Sequence, residues 1–121
     1  MLDKEIKRLI YVRFQKEGIH KYPAALSDPA LADVSFLGYP HRHIFHFKVG
    51  VSVEHNDRDI EFILLKRELE ALFDNKTLQL DYKSCEMVAE ELVEYLFDKY
   101  PGRTYVVDVS EDNENGCVLH S

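Results

Sequence analysis

The clearest alternation in the chain runs from His41 to His55. Odd positions hold His41, His43, Phe45, Phe47, Val49, Val51, Val53 and His55, and even ones include Arg42, His46, Lys48, Ser52 and Glu54. Successive side chains of a β-strand point to opposite faces, so this stretch predicts a long strand with one apolar and one polar face. His41 and His43 fall on the apolar face. Residues Ile6 to Lys16 predict an earlier strand, with Ile10, Val12 and Phe14 opposed to Tyr11, Arg13 and Gln15. Between these strands, Pro23, Pro29, Gly38 and Pro40 punctuate a long loop from Gly18 to Pro40 with one helical turn near Ala30; it is bracketed by His20 and His41. Structureless loops of this length in small domains tend to be functional.

After the long strand, His55-Asn-Asp-Arg58 predicts a turn, and Ile60-Glu-Phe-Ile-Leu64 a third strand pairing back as a hairpin. Leu65, Leu69, Leu72 and Phe73 have helical spacing, with the helix ending at Asp74-Asn75. A linker to Lys83 leads to Ser84, an N-cap for a second helix whose buried face carries Cys85, Val88, Ala89, Leu92 and Leu96, and which Pro101-Gly102 ends. Tyr105, Val107, Val109 and Glu111 share one face of a further strand, followed by a turn at Asp112–Gly116 and a short return strand, Cys117–His120. The expectation is an α+β fold of order β-β-β-α-α-β-β, a mostly antiparallel sheet with two helices on one face.

A length of 121 residues predicts one domain, 1–121. The net charge of −7 and the pI near 5.3 argue against nucleic acid or an anionic membrane as partner, because both attract basic patches. Cys85 and Cys117 form no CxxC and are too few for a secreted disulfide framework, which points to a reduced, cytoplasmic setting. The N-terminal stretch mixes charges with apolar residues and lacks the run of a signal peptide or membrane span.

Three imidazoles from two strand ends, His20, His41 and His43, have the chemistry of a zinc site with three protein ligands and an open fourth position. His46 belongs to the other strand face, and His55 lies roughly 40 Å along the strand at roughly 3.3 Å per residue. Glu111 places a carboxylate at the end of an apolar strand face, where it reaches solvent or receives donors from a ligand. Two carboxylate oxygens match the N2-amino and ring N–H edge of a pterin or guanine. Glu86, in the first turn of the second helix, is favourable to the helix dipole.

Taken in order, His20, the loop, His41-Arg42-His43, Phe62 to Lys66, Cys85-Glu86 and the Val107-Asp-Val-Ser-Glu111 strand resemble the 6-pyruvoyl-tetrahydropterin synthase and 6-carboxytetrahydropterin synthase family over about Ile10 to Glu111. The resemblance implies the tunnelling fold, in which sheets of several subunits associate into a barrel, as a trimer or hexamer with sites at subunit interfaces. It implies zinc on His20, His41 and His43, a dihydroneopterin triphosphate-like substrate, and substrate anchoring by Glu111 and Glu86. The chain departs from that pattern in three places. The family's HGH is His41-Arg42-His43, its catalytic Cys before that motif has no counterpart in Val34 to Pro40, and its Asp-His pair is met only by Asp81-Tyr82. A substitute base would be Tyr82, Asp81 or Glu17. Three functions therefore stay open: a zinc-dependent lyase of this type, a non-catalytic tunnelling-fold protein binding a pterin or purine nucleotide, and an oligomeric interaction module.

Overall fold

A computed structural model describes residues 6–73 and 76–121. The long alternations become two 13-residue strands, β1 (Arg8–His20) and β2 (His41–Val53). They pair antiparallel along their whole length, from Arg8 opposite Val53 to His20 opposite His41. The excursion between His20 and His41 therefore leaves and rejoins the sheet at one cross-strand pair. It folds as two 3₁₀ segments, Pro23–Leu26 and Pro29–Gly38, in place of the single turn expected near Ala30. Asp28 caps the second by accepting the Ala30 N–H at 2.9 Å.

The hairpin expected from Ile60–Leu64 does not form. Helix α1 (Phe62–Glu70) starts there, because the Glu61 carboxylate caps it by accepting the Ile63 N–H at 2.7 Å, and Leu65 and Leu69 then bury one face. An apolar run this short suits strand or helix equally, and the cap decides it. The helix ends at Glu70, where the Ala71 N–H donates to the Arg67 carbonyl, short of the predicted Asp74-Asn75, which lie outside the described residues. The third strand is instead β3 (Leu78–Asp81), drawn from the stretch expected to be a linker, with Leu78 and Leu80 buried and Gln79 and Asp81 exposed. It runs parallel to β1, which makes the sheet mixed. Helix α2 (Cys85–Lys99), with Ser84 accepting the Met87 N–H at 3.2 Å, and strand β4 (Tyr105–Glu111) follow as expected, while β5 (Asn115–His120) starts two residues before the predicted Cys117.

The five strands lie in the order β3-β1-β2-β4-β5, an open sheet with β3 and β5 at its edges. The barrel expected from the sequence is not closed within the chain. One face of the sheet, carrying Val12, Phe14, Phe45, Phe47, Val49, Val107 and Val109, packs with Leu65 and Leu69 of α1 and Val88, Ala89, Leu92 and Leu96 of α2 into one core. Both helices thus lie on that face. No described helix is long and apolar enough to cross a membrane.

Two features of this packing bear on the site. Gly18 sits on the core face, where a Cβ would come within 2.9 Å of the Phe45 ring and 3.2 Å of Leu80. Phe45 in turn meets the rings of His20 and His43 edge-on, with centroids 5.1 and 5.9 Å away. Gly18→Ala should lower stability by about 1–3 kcal/mol through overpacking, read as a shifted urea midpoint. An unchanged midpoint would mean the Phe45 ring yields freely.

At the opposite end of β2, Asp59 accepts from Glu54 N at 2.9 Å and from Arg103 Nη1 at 3.0 Å, tying the turn to the start of β4. The backbone donor, then the guanidinium, hold its carboxyl below the 3.8 of an unperturbed aspartate. A depressed carboxyl contributes stability above its unfolded value and loses it as pH falls through the folded one. Asp59→Asn should therefore weaken the protein at pH 7 and make its unfolding midpoint less sensitive to acidification below about pH 4. Parallel pH profiles of the two proteins would refute this.

Candidate metal centre and adjoining cavity

The register of β1 and β2 assembles the site. His20 and His41 are direct cross-strand partners, and His43 lies two residues further along the same face, opposite Gly18. The ring centroids lie 4.6 Å apart for His20–His41, 5.4 Å for His20–His43 and 5.0 Å for His41–His43, all steeply inclined to one another. One ring nitrogen from each lies within 4.8 Å of the others, close enough to share a metal ion.

The Nδ1 atoms identify which nitrogens are free. His20 Nδ1 lies 2.8 Å from the Lys83 carbonyl, His41 Nδ1 2.8 Å from the Tyr39 carbonyl, and His43 Nδ1 2.6 Å from Asp112 Oδ2. A carbonyl or carboxylate oxygen only accepts, so each Nδ1 must carry a proton, and the nitrogen that the neutral form offers to a metal is Nε2. This is the orientation that metal-bound histidines take, their far nitrogen held by an oxygen acceptor. Nε2 of His20 and Nε2 of His43 are buried and have no hydrogen-bond partner among the described residues.

Glu111 sharpens the point. As the last residue of β4, opposite Phe45, it brings Oε1 to 3.1 Å from His20 Nε2 and Oε2 to 3.4 Å from His43 Nε2, without hydrogen-bond geometry to either. Bare imidazole nitrogens and a carboxylate facing one another at this distance repel unless a cation or proton lies between them. Glu111 does not simply run out into solvent, since its side chain is 28% exposed. A scan against protein-family models matches none, and a search of curated proteins finds no match.

Beside the imidazoles lies a cavity of about 540 Å³, lined by His20, His41, Glu111, Cys85, Glu86 and Tyr82 among others. Its size is that of a small-molecule pocket. The N-terminus of α2 forms one wall and contributes Cys85 and Glu86. The Cys85 thiol is directed at Glu111 Oε1, 4.0 Å away, and burial, with the Glu111 charge beside it, pushes it up to about 12. It is a neutral thiol at physiological pH.

The proposed bases are divided by the fold. Tyr82 borders the cavity with its side chain largely exposed. Asp81 pairs with Lys21 at 3.8 Å and is not part of the wall. Glu17 lies on the other face of β1, where it accepts from Thr77 and lies 3.5 Å from Arg42. His46 also faces away from the triad, lining a separate polar cleft with Arg13, Gln15 and Lys48, and His55 is exposed near Asp59. The acceptors Tyr39, Lys83 and Asp112 carry no sequence signal for this role, since two of them act from 63 and 69 residues away.

Alkylation checks the thiol. At pH 8 native Cys85 should resist iodoacetamide, whereas the unfolded chain labels fully, as peptide mass mapping would show. Equal labelling in both states would mean the thiol is accessible and ionised.

Proposed function

We propose that this chain is a zinc-binding protein of the 6-pyruvoyl/6-carboxytetrahydropterin synthase type, taking a dihydroneopterin triphosphate-like substrate into the cavity beside His20, His41 and His43. The observation that carries the proposal is the convergence of three imidazoles, one ring nitrogen of each within 4.8 Å of the others, with every Nδ1 held by an oxygen acceptor. Three neutral imidazoles suit zinc, and three protein ligands leave a position open. When bound, the ion polarises an oxygen of the ligand side chain. In this proposal the open sheet edges join those of further copies in a tunnelling-fold barrel, a trimer or hexamer, in the cytoplasm.

The remaining roles belong to the chain's own groups. Glu111 accepts the donor edge of the bicyclic ring, and Glu86, on the same wall, is a second acceptor. Tyr82 is the substitute proton carrier that borders the cavity, because Asp81 and Glu17 are engaged elsewhere. A thiolate is not available from Cys85, held at about 12. That thiol favours a second reading, a non-catalytic protein that binds a pterin or purine nucleotide on the same residues.

Metal analysis should find about one zinc per chain, lost in His20→Ala and His41→Ala. Neopterin should raise the melting temperature of the zinc-loaded protein, since a ligand at 100 times its Kd contributes about 2.7 kcal/mol, and Glu111→Gln should abolish that rise. Turnover of 7,8-dihydroneopterin triphosphate that stops in Tyr82→Phe supports the enzyme, and binding without turnover supports the second reading. A chain that takes up no zinc overturns the zinc-dependent reading, and one whose melting temperature neither neopterin nor guanine compounds shift overturns the second.

A further inference from the structure

The three imidazoles are held by unlike acceptors. His20 and His41 lean on backbone carbonyls, whereas His43 leans on a carboxylate, Asp112. Asp112 is the first of two successive left-handed residues in the β4–β5 turn, with φ of 52° there and 59° at Asn113, and the turn is closed by Glu114 N donating to Glu111 O at 2.9 Å. Such a turn asks only for residues that tolerate positive φ, which glycine or asparagine does at least as well. The turn therefore does not explain the carboxylate.

Its contacts do. Oδ1 accepts the Ile44 N–H at 2.9 Å, Oδ2 lies 2.6 Å from His43 Nδ1, and the Asp112 N–H donates to the Ile44 carbonyl at 2.7 Å. The turn is pinned at three points to the end of β2, and both carboxylate oxygens are used on His43 and its neighbour. With two oxygens that only accept, this side chain permits one tautomer of His43, the one with Nε2 bare.

On the premise that these imidazoles hold a metal ion, we propose that Asp112 is the positioning residue of the centre. It fixes the His43 tautomer and aims Nε2 at the point shared with His20 and His41. The same hydrogen bond couples the β4–β5 turn to the metal, so loading the centre tightens the hold on the hairpin that carries Glu111.

Asparagine makes a sharp test. Its amide presents an oxygen on one side only. If that oxygen keeps the Ile44 N–H, the amide NH₂ faces His43 Nδ1 and selects the opposite tautomer, with the proton on Nε2. Asp112→Asn should therefore weaken cobalt(II) and zinc binding by about 10–100-fold in a chelator competition on the folded protein. Long-range ¹H–¹⁵N spectra of the metal-free variant should show His43 protonated at Nε2. Asp112→Gly, which suits the positive φ and removes the carboxylate, should weaken binding similarly and leave the Asn113–Gly116 amides unprotected by metal in hydrogen exchange. Wild-type affinity in both variants, with a wild-type His43 tautomer, overturns the role of Asp112 and leaves the metal centre standing. Failure of the wild-type protein to bind cobalt or zinc overturns the centre and this role together.

Discussion

The pairing of β1 with β2 is the constraint on which the rest of the structure depends. Side chains alternate with a period of two, so slipping this pair by one residue would carry every core residue of one strand to the opposite face. Phe14 stacks on Phe47, its partner in register, with centroids 4.7 Å apart, and Val12 opposes Val49 in the same core. These contacts hold the register along the whole length of the pair. The same register, continued to the strand ends, sets His20 against His41 and leaves the side chain-free Gly18 opposite His43. The hydrophobic core is thus what aligns the imidazoles.

The site is a concentration of groups that do not satisfy one another. Buried polar atoms in proteins nearly always have partners. Here two imidazole nitrogens have none among the described residues, and the carboxylate nearest to them, when ionised, cannot donate. The adjoining thiol stays protonated beside that carboxylate. Three imidazoles close enough to share a metal ion thus stand beside a cavity with two carboxylates, Glu86 and Glu111, in its wall. Proton transfer is less well provided for, because the acid and base candidates are spread over both faces of the sheet.

Much of this could be read from residue spacing, and the failures are instructive. The strand ending in Glu111 and the Ser84 cap followed from alternation and capping chemistry. Glu17 is set apart from His20 by strand parity, a signal present in the sequence, and the fold puts it with Thr77 and Arg42 on the far face. Ile60 to Leu64 misled because a short apolar run is compatible with either element, and a carboxylate two residues before Ile63 tips it to helix. Leu78–Asp81 alternates too, but four residues carry little pattern, and its parallel pairing with β1 is a long-range contact.

By itself, then, the order of residues determined which side chains share a face: His41 with His43 and the core phenylalanines, Glu111 with Val107 and Val109, Cys85 with Leu92. It did so because period-two and period-3.6 patterns are local properties of the backbone. What surrounds those faces was decided by the tertiary structure alone. The Lys83 carbonyl reaches His20 only because β3 docks at the edge of β1, and the Asp112 carboxylate reaches His43 only because β4 lies against β2. A lysine contributing its carbonyl and an aspartate in a turn have no spacing relation to the histidines they hold. Their roles arise from sheet order, which the core as a whole selects.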